Sequence, residues 1–362
     1  MRAENAPPRF TSTPGLRPLL YTNGDLYAAR GLALWRRPRG RRQFEPRASV
    51  PGHLLERVVR PSRLLTRLVR GGIYGLVQLQ DGSLLATVKG AIVRCGADES
   101  EFREVLPLAG RGRPLNFCVA RDKVFFGEYF SNLGRGEVNV YGSADGLRWE
   151  VRYRFPPGSI RHIHGIYYDE FRRGHWVLTG DEGAEAGLWF TNDEFRTLVP
   201  VVRNEQRARA VTVIPRAEGL IVPMDSPQEV NFIHLFEPGP ARFTRLAELP
   251  GSSFSSARCG ALYCISTGVE KSAVNLSQSA TVFVSSDGLS WRCMATFRRD
   301  LALLKNMRPY FQYPNVALVS SQDDTVIGYG VALTEYDDCL LEWDPRDLRV
   351  WLACVSGQRE VA

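Results

Sequence analysis

Two stretches of this chain nearly coincide: "SADGLRWE" at residues 143–150 and "SSDGLSWR" at 285–292 share the pattern S-x-D-G-x-x-W. Degenerate copies recur as "RPRGRRQFEP", "GADESEFRE", "TNDEFRTL", "EPGPARFTRL" and "DPRDLRVW". Taking one late aromatic or apolar residue of each copy as its anchor, the anchors fall at 44, 102, 149, 195, 243, 291 and 350. The spacings are 58, 47, 46, 48, 48 and 59 residues. A period of this size is the mark of one supersecondary unit that cannot bury its apolar face alone and stacks on its neighbours.

Each repeat has the same internal order of apolar runs and turns. In "GGIYGLVQLQDGSLLATVKGAIVRCGADESEFREVLPL" short β-branched and aromatic runs alternate with Gly-containing turns, and no 3.6-residue periodicity persists. Four strands in each of seven repeats predict an all-β fold, a seven-bladed β-propeller of four-stranded antiparallel blades. Blades are expected at about 15–50, 65–108, 113–157, 160–203, 206–250, 253–300 and 308–355, with a disordered lead over 1–14 and a tail over 356–362.

The S-x-D-G-x-x-W pattern resembles the Asp box (BNR repeat) of sialidase-like β-propellers, over about residues 15–355. The stretches "GEYFSN", "RHIHG", "TGD", "MDS" and "GVE" are similar to those of sialidase-superfamily proteins encoded in bacterial polysaccharide gene clusters. That resemblance implies glycan processing without fixing a reaction. It also implies that the box turn lies opposite the ligand pocket. Asp145 and Asp287 are then turn-capping residues, since Asp and Ser side chains accept nearby backbone N–H groups in such turns. Trp149 and Trp291 are expected to pack between blades. The Arg-Ile-Pro motif of true sialidases is absent from "LRPLLYTNG" in the first blade, which argues against sialic acid as the ligand.

In a propeller the innermost strand starts at the pocket face and the second strand returns to it. Strand-two ends carry Lys89, Glu128, Asp181, Asp225 and Glu270; strand-one starts carry Tyr74, Asn116, Arg161, His162, His164, Arg207, Arg209, Gln312 and Tyr313. Polar groups beside apolar strand positions need partners or a ligand. His162 and His164 stand two apart and so share one face of a strand, with Arg161 directed to the other. Two chemistries suit them. One histidine could be a general base tuned by a neighbouring acid. Alternatively, the pair could chelate zinc or manganese, with Asp181 or Gln312 completing the shell.

The candidate catalytic residues are His162, His164, Asp181, Glu128 and Glu270. Candidate substrate contacts are Arg161, Arg207, Arg209, Tyr129, Asp225, Gln312, Tyr313 and Lys89. His53, His175 and His234 fall at turns or outer strands and read as surface or packing residues.

Composition narrows the rest. The net charge is +7, and arginine supplies nearly all the cations, because only four lysines occur (Lys89, Lys123, Lys271, Lys305). Arginine's planar fork suits carboxylates. The basic patch at residues 35–47 has no aromatics interleaved at base-stacking spacing and no known binding motif, and it reads as a solvated loop, so no specific nucleic-acid partner is expected. No apolar run is long enough for a membrane span. Seven cysteines without C-x-x-C spacing, and an N-terminus without an apolar signal region, point to a reducing, cytoplasmic setting. No phosphate loop, dinucleotide fingerprint or local Ser-His-Asp motif is present.

The reading is a carbohydrate-active protein that cleaves an acidic bacterial-type poly- or oligosaccharide, as glycosidase or polysaccharide lyase, at the channel mouth. The other class is a non-catalytic propeller serving as a glycan-binding or protein-interaction module. The oligomeric state is not legible.

Overall fold

The computed structural model describes residues 7–51, 71–300 and 313–357. Seven four-stranded antiparallel sheets form a ring, the seven-bladed propeller that the repeat implies. Six blades take four consecutive strands, within residues 17–49, 75–107, 118–155, 162–203, 214–249 and 253–298.

Seven apolar clusters hold the ring together, and each lies between two successive blades. Leu85 and Ile92 of blade 2 meet Val124 and Phe126 of blade 3, for example, and Trp176 and Leu188 of blade 4 meet Val222 and Phe236 of blade 5. Alternate residues of a strand face opposite sides, so a strand buried against both neighbours reads as a continuous apolar run. The second strand of blade 4, Gly174–Gly180, is buried at every position.

The seventh blade departs from the expected pattern. Its strands Asn315–Val319, Val326–Val331 and Cys339–Trp343 are completed on the outside by Phe10–Pro14 from the N-terminus. The segment expected to be a disordered lead is thus, in its last five residues, the strand that closes the ring. Phe10 packs on Trp343, Phe297 and Tyr336 with ring centroids 5.2, 5.7 and 5.1 Å apart. Closure joins the two chain ends and removes the open edges of a linear array.

"DPRDLRVW", read as the seventh box and strand, is instead the start of a helix, Pro345–Gly357. Asp344 accepts the Arg346 N–H at 2.7 Å, Pro345 sits at the first helical position, and Leu348 and Leu352 are buried four apart. Val350, taken as an anchor, is 65% exposed.

The box turns are built as capping devices. Asp287 Oδ1 accepts the Leu289 and Ser290 N–H groups at 2.7 Å each, and Ser285 Oγ accepts that of Gly288 at 2.8 Å. Asp145 and Ser143 repeat the arrangement, and Thr191 with Asp193 forms a third copy. Trp149 and Trp291 pack between blades but are only partly buried, whereas Trp176 and Trp343 are fully enclosed. The backbone oxygen of Asp287 accepts a hydrogen bond from Arg216 in the turn after the innermost strand of blade 5, so the box turn shares that end of the ring.

Candidate functional site

The innermost strand of blade 4, His162–Asp169, pairs with Gly174–Gly180, and the register slips between Ile163 and Gly165. His164 is the extra residue of this bulge. Bulges re-aim side chains, and here both imidazoles converge on Asp181, just beyond the second strand. His162 Nε2 and His164 Nε2 are 3.2 Å apart; the first is 3.2 Å from Asp181 Oδ2 and the second 3.2 Å from Oδ1. Both histidines are buried.

Two arginines reach the same acid. Arg161 Nη1 donates to Asp181 Oδ2 at 3.2 Å, and Arg209 of blade 5 donates to its backbone oxygen at 2.6 Å with Nη2 3.4 Å from Oδ1. Alternation had placed Arg161 on the opposite face. It precedes the strand, so the pleat does not govern its direction, and its backbone N–H is held by Glu185. Tyr129 from blade 3 lies against His162, with ring centroids 4.3 Å apart.

Proton counting defines what this cluster lacks. His164 Nδ1 is 3.0 Å from the Ala210 carbonyl oxygen, which only accepts, so Nδ1 carries the proton. A neutral His164 then presents a bare Nε2 lone pair toward the lone pairs of Asp181. His162 Nδ1 is buried without a partner, so the proton of His162 belongs on Nε2, where a single N–H faces both Asp181 and His164. The His164–Asp181 contact remains two lone pairs unless an additional proton or a cation lies among the three groups.

Burial alone would raise the Asp181 pKa, but with an additional proton among the three groups the two imidazoles outweigh it and hold the carboxyl well below its ordinary range. Burial lowers the pKa of His162 despite the adjacent acid. An ionised Asp181 beside a neutral His162 follows. Among the described residues, His162, His164 and Asp181 form the one group of three whose ligand atoms lie within 4.8 Å of one another. Two imidazole nitrogens and a carboxylate are zinc- or manganese-type donors. Separations of 3.2 Å match the edge of about 3.3 Å for tetrahedral bonds of about 2.0–2.1 Å. The donor set fits a divalent cation.

The acidic side continues into blades 5 and 6. Asp225 is buried with Arg209 Nε 3.6 Å away, and its Oδ1 has no partner. Burial pushes its pKa up to about 7, against the pull of Arg209. Glu270 accepts the Ser252 hydroxyl at 2.8 Å. Tyr313 is raised by burial and then by Glu270, and it stands partly exposed beside Phe254.

Four candidates, Glu128, Arg207, Gln312 and Lys89, lie elsewhere or outside the described residues. Glu128 is turned into its own blade, where its carboxylate accepts the Asn139 N–H at 2.7 Å and the Tyr141 hydroxyl at 3.4 Å. Its backbone, not its side chain, borders His162, because the Ile163 N–H donates to its carbonyl oxygen. Arg207 is exposed, paired with Glu205 and lying over Phe243 at 5.0 Å. Arg209, two residues on, enters the cluster in its place. Gln312 and His53 lie outside the described residues. Lys89 is exposed just beyond the second strand of blade 2. His175 and His234 are buried packing residues rather than surface ones.

The structure adds residues that the repeat reading passed over. Arg113 and Arg17 lie over the Tyr74 ring at 3.6 and 4.4 Å, and Arg17 lies over Tyr329 at 4.8 Å. Arg17 and Arg113 stand at or before the inner strands of blades 1 and 3. That is the position the repeat assigns to pocket residues, and it was a usable signal. At the other end of the ring, a cavity of about 830 Å³ is lined by Tyr168, Phe171, Arg216, Arg258 and Tyr263.

Fold and site together define a seven-bladed propeller with a His–His–Asp–Arg cluster at one mouth of its channel. No family model matches the sequence, and no curated protein matches it. Solved structures match along most of its length. They include an oligogalacturonate lyase in complex with manganese (TM-score 0.59, 10% identity, 94% of this chain and 92% of that one). A chain of the mitotic checkpoint complex is similar at TM-score 0.58 and 11% identity, covering 95% of both. The extracellular domain of a one component system from B. thetaiotaomicron matches at TM-score 0.53 and 10% identity, over 92% of this chain and 39% of that one. At these identities the likeness is one of fold. Membership of the sialidase or Asp-box family is not shown, and that resemblance rests on the sequence motifs.

Proposed function

We propose that the protein cleaves an acidic poly- or oligosaccharide by β-elimination at the His162–His164–Asp181 cluster, with a divalent cation held by those three residues. The observation that carries the reading is the surplus of lone pairs where His164 Nε2, His162 Nε2 and Asp181 converge within 3.2 Å of one another. A bound cation would neutralise the uronate carboxylate and so acidify the neighbouring C–H. Arg161 and Arg209 hold the Asp181 carboxylate in place. Asp225, which ionises near neutrality and has a free buried oxygen, is matched to move a proton at the operating pH. Tyr129, raised to about 12 mainly by burial, keeps its phenol proton and could give it to the leaving oxygen. Asp225 takes the C–H proton, a C=C bond forms as the glycosidic C–O bond breaks, the leaving oxygen takes the Tyr129 proton, and exchange with water returns a proton from Asp225 to Tyr129.

Elimination is favoured over hydrolysis for a structural reason. A glycosidase needs two carboxyl groups facing each other across the scissile bond. Here Asp181 is engaged by two histidines and two arginines, Glu128 is turned away, and in the remaining pair, Asp225 and Glu270, the second already accepts the Ser252 hydroxyl. A shared fold with a manganese-bound oligogalacturonate lyase accords with the reading. A reducing, cytoplasmic setting is part of the proposal, on the irregular spacing of the seven cysteines in the sequence. The non-catalytic reading draws on the cavity at the opposite end, where Phe171 is 49% exposed.

The test is incubation with a panel of uronate-containing polysaccharides, following both reducing ends and the ultraviolet absorbance of unsaturated uronates. Cleavage that yields unsaturated ends, stops with a chelator and returns with manganese or zinc is the expected result. Reducing ends without unsaturation would replace the lyase by a hydrolase; no cleavage of any acidic glycan would leave the binding module.

A further inference from the structure

The bulge that aims His164 is built more than once. In blade 6 the register slips between Ser253 and Ser255, so Phe254 is the extra residue of the inner strand, as His164 is in blade 4. The flanking registers agree. Ile163 faces Thr179 and Ser253 faces Thr267, and a glycine follows each threonine, Gly180 and Gly268. In each blade the ring at the bulge lies over that glycine. A Cβ on Gly268 would run into the Phe254 ring, and one on Gly180 would stand 3.1 Å from His164 Cε1 and 3.3 Å from Arg209 Cγ. Neither glycine has a positive φ, so the backbone there would accept any L residue, and what glycine supplies is room. Blade 1 carries a third bulge, at Leu19, and there the matching position holds Ala29 and the bulge carries no ring.

At Gly180 the room is shared by two groups that close on Asp181. His164 Nε2 is 3.2 Å from Asp181 Oδ1, and Arg209 donates to the Asp181 backbone oxygen at 2.6 Å. His164 is also gripped from behind, with Nδ1 3.0 Å from the carbonyl oxygen of Ala210, the residue after Arg209. Cε1 joins the two ring nitrogens, so pressure on it moves both. Carbon atoms in ordinary contact stand about 3.5–4.0 Å apart, so a methyl at position 180 would make His164 and Arg209 give way by about 0.5 Å. Any such shift of the ring is taken up in its contacts to Ala210 or Asp181. Metal–ligand distances tolerate only about 0.2 Å.

We propose that Gly180 is a positioning residue for the cation site: its missing side chain lets His164 and Arg209 close on Asp181 together. The proposal rests on the cation reading above and deepens it, because it ties the geometry of the donors to a residue that touches no ligand.

The test compares Gly180→Ala and Gly268→Ala in the intact protein, by thermal melts and by calorimetric titration with manganese and with zinc. Gly180→Ala is expected to bind the better of the two metals at least about 10-fold more weakly than wild type, as when a group that orients a metal ligand is disturbed. Gly268→Ala strains the same device against Phe254, in a blade that supplies none of the three donors. It should melt lower and keep the wild-type metal affinity. A Gly180→Ala protein that binds metal as the wild type does would overturn the assignment. So would a Gly268→Ala protein that loses as much affinity, since a general loosening of the ring would then explain both.

Where Gly180→Ala lowers the melting temperature, the double variant with His164→Ala finds the cause. Once the ring is gone, the added methyl should have little further effect on melting; a methyl as harmful without the ring as with it would refute the contact. If the wild type binds neither metal, the cation reading fails, and Gly180 is judged on the nitrogen resonances of the His164 imidazole in the metal-free protein. Resonances shifted in Gly180→Ala uphold the positioning role, and identical ones remove it.

Discussion

Replacing Asp181 by asparagine preserves the shape of the side chain while deleting the one negative charge on which four groups converge. Arg161 lies 3.2 Å and Arg209 3.4 Å from its oxygens, and His162 and His164 each 3.2 Å. Breaking a fully buried ion pair costs about 3–5 kcal/mol. Asp181 and Arg161 retain about a quarter of their side-chain exposure, which screens part of that, so about 2–3 kcal/mol is expected near neutral pH.

The sign with pH follows from the depressed carboxyl. Its stabilisation is present above the unfolded value of about 3.9 and is lost as pH falls further through the folded value. The stability gap between wild type and Asp181→Asn should therefore be full at pH 7 and shrink below about pH 4. The asparagine also supplies a weaker metal donor and no charge, so manganese affinity should drop at least about 10-fold and glycan cleavage at least about 10²-fold. Denaturant melts, calorimetric titration with manganese and the unsaturated-uronate assay read the three effects. A variant as stable as wild type, or one that binds metal and cleaves glycan within twofold of it, would refute the argument that this carboxylate organises the site.

Asp287→Ala removes a turn cap far from the cluster, so it should cost about 1–2 kcal/mol in a denaturant melt and leave activity per folded molecule unchanged. Trp343→Ala should cost about 3–5 kcal/mol, because the ring is fully buried and anchors Phe10 of the closing strand. His175 and His234 are each pushed down to about 4 by burial, so their unfolded forms bind protons first. Stability should be full above about pH 6.5 and fall toward pH 4, by up to about 3 kcal/mol apiece, and Phe at both positions should flatten that profile in melts.

The repeat was legible because blades are stacked by a local rule. The same turn chemistry and the same apolar alternation recur every blade, so seven units and their order could be read without tertiary information. Strand direction then placed His162, His164 and Asp181 at one mouth, since an inner strand and its partner meet at fixed ends. The sequence alone determined that much. Which strand closes the ring it did not: Phe10–Pro14 pairs with Cys339–Trp343 across nearly the whole chain, and no local pattern encodes a partner that distant. The bulge at His164 aligns both imidazoles, yet the slip that makes it lies in the pairing of two strands rather than in either one. Glu128 and Arg207 occupy the right positions in the repeat but found nearer partners in Asn139 and Glu205, while Arg209 reached across from blade 5 to Asp181. Position along a strand decides which mouth a residue approaches. Competition among charges within reach decides where its side chain goes, and only the assembled ring sets that reach.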